Sequence, residues 1–232
     1  KNISCKLIMQ NYLKLGMNQK SMKTVEEILP KIINDAALHA KFINSLSRME
    51  YVGVRKMLKS RNADSIDYDG LLHVIEESSH AIRLKKAAIK INKGEEVGIK
   101  GYSESETLAG KEAEDYLQKV DRLCERNIQK LNVSDTISNE ANYILSSVII
   151  EIRADCFYPI YEKCLREAEM PFSVASIVKD EIKHLAEMSD RAMQIFGNHW
   201  PNLLEESFLE ESILFENWAN SIKAATMDTV ST

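Results

Sequence analysis

The sequence predicts an all-α protein, a four-helix bundle with additional helices in the crossover and at the termini. Apolar side chains recur in steps of three and four along nearly the whole chain, which is the helical period. Only 4 prolines and 8 glycines occur in 232 residues, so few positions interrupt a helix. Two segments, 76–80 and 180–184, also repeat one pattern: an acid, Glu, two other residues and His.

The composition is that of one globular domain over residues 1–232. Hydrophobic residues make up 44% and charged residues 28% of the chain. The net charge of −5 argues against a nucleic-acid partner. No apolar run approaches the roughly 18 residues that a membrane span needs. The 4 cysteines form no Cys-x-x-Cys pair, which predicts reduced thiols in a cytoplasmic protein.

Four long helices form the predicted core, over about residues 25–60, 66–92, 135–169 and 173–197. Thr24 and Glu27 form a capping-box pattern at the start of the first helix, and its apolar stripe continues to Met57. The polar segment 61–70 predicts the turn into the second helix. Pro171 separates the third core helix from the fourth.

Further helices are predicted within 1–20, over about 104–131 in the crossover and over about 201–224 at the C-terminus. Ser103 and Glu106 would cap the crossover helix. Pro201 suits the first position of the last helix. A long crossover between two helical hairpins is the connection used by one class of four-helix bundles.

The repeated motif places a carboxylate and an imidazole on one face of a helix. Glu77 precedes His80 by three positions, and Glu181 precedes His184 by the same spacing. Such positions lie about 60° apart around a helix and about 4.5 Å apart along it, so both side chains can bind one metal ion. Both pairs lie on apolar stripes, where an unpartnered charge is costly to bury. The sequence therefore predicts a metal site inside the bundle.

Each motif follows a helix with a single acid on its own apolar stripe, Glu50 in the first case and Glu151 in the second. Glu162 is the alternative to Glu151, because its distance from the turn better matches that of Glu181. We favour Glu151, which ends a more apolar run, and we expect Pro159 to break or kink the helix before Glu162.

The complete set resembles the ligands of the ferritin-like di-iron carboxylate superfamily. The set is Glu50, Glu77-x-x-His80, Glu151 and Glu181-x-x-His184. The segments 147–151 and 179–184 are most similar to the oxygenase and oxidase branch, and the spacing between Glu151 and Glu181 is similar to that of aldehyde-deformylating oxygenases. The resemblance covers the four core helices and says little about the substrate.

By this resemblance the protein would have a ferritin-like fold and bind two Fe ions, with Glu77 and Glu181 bridging them. Glu50 and His80 would complete one ion's ligands, and Glu151 and His184 those of the other. Manganese or a mixed Mn/Fe pair suits the same ligands. Asp180 and Glu76 would accept hydrogen bonds from the imidazoles. A solvated surface acid is an equally good interpretation of Glu76.

Four other residues lie near the predicted site. His73 shares the stripe of Glu77 and could be a further ligand or line a pocket, although we favour a core histidine. Asp155 could relay protons or hydrogen-bond a ligand. Tyr158 could lie near the irons, but a core aromatic is favoured. Gly53 leaves room beside the metals or allows close helix packing.

The resemblance implies a di-iron enzyme that uses O2 as co-substrate to hydroxylate, desaturate or cleave a small, apolar organic molecule. An external electron donor, a ferredoxin or a flavoprotein, would then be a partner, and a homodimer is compatible with the pattern. Two alternatives stay open: a ferroxidase without an organic substrate, and a metal-free structural bundle. An enzyme should have an apolar pocket beside the metals, lined by the crossover helix and the last helix. A ferroxidase should have a polar iron path.

Overall fold

A computed structural model describes residues 5–17, 19–60, 64, 66–131 and 135–230, and this part of the chain is all-helical. The α-helices within it are α1 (Cys5–Met17), α2 (Lys20–Asn34), α3 (Ala36–Ser60), α4 (Tyr68–Ile91), α5 (Gly110–Gln129), α6 (Asp135–Glu167), α7 (Ala175–Phe196) and α8 (Trp200–Val230). Short 3-10 turns occupy Glu104–Glu106 and Gly197–His199. None of the described helices combines the length and apolar character needed to cross a membrane.

Four of the helices form two packed pairs. α3 packs along α4, and α6 packs along α7. α3 also contacts α6, and α4 contacts α7, so the two pairs face each other. α5 and α8 pack together and lie against α6. The crossover helix and the last helix therefore lie side by side on the same region of the molecule.

The predicted continuous helix over 25–60 is wrong, because Asp35 separates α2 from α3. Its backbone is extended, with φ −109° and ψ 109°. Its Oδ1 accepts hydrogen bonds from the backbone N–H groups of Ala37 and Leu38, both at 3.0 Å. An aspartate in this position caps the helix that follows it, which favours a new start over continuation.

Other local expectations also differ from the structure. α2 begins at Lys20, so Thr24 and Glu27 lie inside this helix and do not cap its start. Pro159 lies inside α6, which continues to Glu167, so it does not break the helix before Glu162. Ser103 and Glu106 form their capping box on the 3-10 turn, and α5 begins later, at Gly110. The predicted turn over 61–70 lies partly outside the described residues.

Candidate metal centre

The six predicted ligands come together between α3, α4, α6 and α7. Their ligand atoms form two groups, each within 4.8 Å, and the groups share Glu77. One group contains Glu50, Glu77, His80 and Glu181, and the other contains His73, Glu77, Glu151 and His184. All of these side chains are buried except that of Glu50, which is partly buried.

The two motif histidines point towards the carboxylates of the facing motif. Both side chains are 0% exposed, and their ring centroids lie 6.0 Å apart. Nδ1 of His80 lies 3.1 Å from Oε1 of Glu181. Nδ1 of His184 lies 3.1 Å from Oε1 of Glu77. Each imidazole therefore presents Nδ1 to the interior of the cluster.

The other imidazole nitrogen meets an acid at the edge of the cluster. Nε2 of His80 lies 3.1 Å from Oδ2 of Asp180, and Nε2 of His184 lies 2.8 Å from Oε2 of Glu76. Because a carboxylate can only accept a hydrogen bond, Nε2 carries the proton in both contacts. Nδ1 faces the interior carboxylates, and a metal ion bound there would replace its proton and use its lone pair.

Burial and mutual repulsion shift the pKa values of the clustered acids. Burial, together with the charges of Glu77 and Glu181, raises the pKa of Glu50 well above its ordinary value. Burial and the same two charges also raise the pKa of Glu151. Burial acts to lower the pKa of His184, but the neighbouring carboxylates of Glu181, Glu77 and Glu76 outweigh it and raise that pKa to about 11.

The cluster has the properties of a cation site. Within the described residues, four of its buried ligand atoms have no hydrogen-bond partner: Glu77 Oε1, Glu151 Oε2, His80 Nδ1 and His184 Nδ1. Four carboxylates buried together repel one another and lack water to stabilise their charge. Two divalent cations would balance their charge and use the unpartnered atoms as ligands. The residues present therefore fit a pair of metal ions.

His73 belongs to this cluster, although the sequence favoured a core histidine. Its ring lies 4.1 Å from the ring of His184. Its Nε2 lies 3.4 Å from Oε1 of Glu77 and 3.7 Å from Oε1 of Glu151. The signal was its position four residues before Glu77, which puts both side chains on one face of α4. The corresponding position before Glu181 is Ile177, so the two ligand groups are not equivalent.

Glu162, the alternative to Glu151, has a separate role. Its Oε2 accepts a hydrogen bond from the backbone N–H of Val174 at 2.7 Å, and its Oε1 accepts one from Ser173 Oγ at 2.8 Å. It thereby holds the segment that leads into α7. The ligand group contains Glu151 and not Glu162.

The remaining site residues lie beside the cluster. Tyr158 donates a hydrogen bond to Oε1 of Glu50. Burial and the charge of Glu181 raise the pKa of Asp155 to about 7, and its Oδ1 has no hydrogen-bond partner in the described part of the chain. Gly53 lines a cavity, and a Cβ atom added there would meet nothing within 4 Å.

This cavity has a volume of about 120 Å³ and adjoins the cluster, because five of the clustered side chains form part of its wall. Most of the remaining wall is apolar, including Leu46, Met49, Met57, Ile150, Ala154 and Phe157. α5 contributes Tyr116 and Leu117, and α8 contributes Phe215 and Trp218. The crossover helix and the last helix thus line a pocket beside the candidate metal site.

Comparisons of the chain with models of protein families, with curated proteins and with solved structures find no match.

Proposed function

We propose that this protein is a non-haem di-iron oxidase or oxygenase that uses O2 to oxidise a small organic substrate. Its core would be a ferritin-like four-helix bundle made of α3, α4, α6 and α7. One observation carries the proposal: two groups of buried ligand atoms share Glu77 and adjoin an apolar cavity. The resemblance of the ligand pattern to di-iron carboxylate proteins supports it.

We infer from the two ligand groups and from the resemblance which residues would hold each ion. Glu50 and His80 would hold one ion, and Glu151, His184 and His73 the other. Glu77 and Glu181 would lie between the two ions. When bound, the iron pair supplies the reduction of O2 and the oxidation of the substrate. Manganese or a mixed pair is compatible with these oxygen and nitrogen ligands.

The chain's own side chains prepare the site for this chemistry. Asp180 and Glu76 fix the tautomer and the orientation of the two motif imidazoles. Tyr158 holds the carboxylate of Glu50 in place. The apolar wall excludes water and positions the substrate beside the cluster. An external electron donor, a ferredoxin or a flavoprotein, completes the proposal.

The apolar wall of the cavity favours an organic substrate over iron storage. An iron path would need polar or acidic side chains leading away from the cluster. The wall contributed by α5 and α8 instead consists largely of aromatic and aliphatic side chains. A metal-free structural bundle would have to keep Glu50 and Glu151 protonated and would leave the buried ligand atoms named above unpartnered within the described residues, which is costly.

Anaerobic loading with ferrous iron tests the proposal. We expect about two iron ions per chain, oxidation of both on exposure to O2, and a sharp loss of bound iron in Glu181→Ala and in His184→Ala. Glu187→Ala is the matched control, because Glu187 is an exposed acid on the same helix. Less than one iron per wild-type chain would refute the proposal. Steady accumulation of ferric mineral without consumption of reductant would favour a ferroxidase.

A further inference from the structure

Two residues of the cavity wall carry buried donors that have no acceptor within the described part of the chain. The side chains of Arg153 and Trp218 both line the cavity, and both residues are 3% exposed. Among the described residues, Nη1 of Arg153 and Nε1 of Trp218 have no hydrogen-bond partner. Buried N–H groups in folded proteins are nearly always paired. Both groups are therefore available as donors to a ligand in the cavity.

The guanidinium of Arg153 is held rigidly by its other contacts. Its Nε and Nη2 donate to Oε1 and Oε2 of Glu211 at 2.9 Å and 2.6 Å. Nη2 also donates to Oε1 of Gln19 at 2.8 Å. Its carbon lies 4.2 Å from the ring centroid of Phe215, and that ring lies 5.5 Å from the ring of Trp218. The two donor residues thus belong to one packed cluster.

The charges around the cavity are balanced. Glu211 pairs with Arg153, and Asp121 pairs with Lys56, the other cation in the wall. Tyr116 donates to Glu211 at 2.7 Å, and burial raises the pKa of its phenol, so it is neutral. At the other end, two divalent cations would balance four carboxylates. A charged ligand would be buried without a counter-charge, which disfavours it against a neutral one.

The volume of the cavity limits the size of its ligand. At about 120 Å³ it is slightly smaller than an apolar cavity of about 150 Å³ that is known to bind benzene. A single six-membered ring, or a short chain of similar bulk, is therefore the largest ligand that fits without movement of the wall.

We propose that the cavity binds a compact neutral molecule about the size of one six-membered ring, through an oxygen acceptor that takes hydrogen bonds from Arg153 and Trp218. This inference rests on the proposed function, because it names the class of substrate for that site. The remainder of the molecule then lies in the apolar part of the cavity, towards the metal ligands.

Three probes and two tryptophan variants test the inference. The probes are cyclohexanone, toluene, which has no oxygen acceptor, and cyclopentanecarboxylate, which is charged. Trp218→Phe removes the indole donor and keeps an aromatic ring. Trp200→Phe is the matched control, since Nε1 of Trp200 is also buried and has no partner among the described residues, but Trp200 does not line the cavity. Dissociation constants are measured by ligand-detected NMR on the full chain loaded with zinc.

We expect Trp218→Phe to raise the dissociation constant of cyclohexanone roughly three- to tenfold, the effect of one lost hydrogen bond. Its effect on toluene should be negligible, and Trp200→Phe should change neither value. Equal losses for ketone and toluene, or no loss for either, would overturn the inference. So would a loss confined to the carboxylate, which would identify the ligand as an anion. Iron content is measured separately, so failure of the proposed function is distinguishable from failure of this one.

Discussion

Asp180 accepts a hydrogen bond at 3.1 Å from His80, the histidine of the other motif. The relationship is reciprocal, because Glu76, the acid that opens the motif of His80, accepts one from His184 at 2.8 Å. Each motif therefore orients the imidazole of its partner helix. The two ligand groups cannot form independently, since each depends on the packing of α4 against α7.

Loss of either acid should weaken metal binding without unfolding the chain. We expect Asp180→Ala and Glu76→Ala each to lower metal affinity about tenfold to a hundredfold, because the imidazole loses the acceptor that fixes its tautomer. Competition with a metal chelator measures the affinity, and circular dichroism checks the fold. Glu187→Ala should bind metal like the wild type. An unchanged affinity in both acid variants would show that the contacts do not orient the ligands.

Substitution of His73 should affect one metal position more than the other. His73 belongs only to the group with Glu151 and His184. We expect His73→Leu to reduce binding from about two metal ions per chain towards one, because that group loses a nitrogen ligand while the group around Glu50 is intact. Metal analysis after gel filtration gives the ratio. Two ions bound as tightly as in the wild type would exclude His73 as a ligand.

Two glycine-to-alanine substitutions should have opposite effects on stability. A Cβ at Gly53 meets nothing within 4 Å, so Gly53→Ala should raise the free energy of unfolding by about 0.5–1 kcal/mol through the higher helix propensity of alanine. A Cβ at Gly110 would lie 2.2 Å from Oγ1 of Thr107, so Gly110→Ala should lower it by about 1–3 kcal/mol. Urea unfolding measures both. Changes of the same sign would contradict the packing described at these positions.

His39 should make the stability depend on pH. It is buried beside the hydroxyl of Tyr161 at 2.7 Å, and burial lowers its pKa to about 4. Below the ordinary histidine pKa of about 6.5, His39 becomes protonated in the unfolded chain but stays neutral in the folded chain. Stability from this residue is therefore complete above about pH 6.5 and decreases by about 3 kcal/mol as the pH falls towards 4.

Comparison of wild type with His39→Gln isolates the contribution of His39 to the pH dependence of stability, because the other titrating groups are common to both proteins. Urea unfolding at several pH values between 4 and 7 should show a shallower decline for the variant. Parallel pH profiles would mean that His39 is protonated equally in the folded and unfolded chains.

The helical class and the six clustered acids and histidines could be predicted from the sequence. Both predictions rest on local patterns, the helical period of apolar residues and the spacing of acids and histidines along it. The break at Asp35 was missed because the apolar period continues through this residue. The break depends instead on the Asp35 side chain, which accepts backbone hydrogen bonds at the start of α3. Counting residues could not show whether Glu162 or Glu151 is the ligand. The contacts of Glu162 with Ser173 and Val174 depend on the path of the chain into α7.

The polar part of the cavity was beyond prediction for a different reason. Arg153 is positioned by Gln19, the residue before α2, and by Glu211 on α8, and both lie far from it in the sequence. Such long-range pairs depend on the packing of α8 against α6. Neither helical period nor motif spacing carries that information.

Within the described residues, the candidate metal ligands lie on α3, α4, α6 and α7, whereas α5 and α8 contribute side chains to the wall of the cavity. Under the proposed function, the ligand helices would provide the oxidation chemistry, whereas α5 and α8 would share with them the shaping of the pocket. Substitutions at Tyr116, Leu117, Phe215 or Trp218 can reshape the cavity without altering the candidate ion ligands. Descendants of this chain could then differ in the molecules they admit and keep the same ligand set.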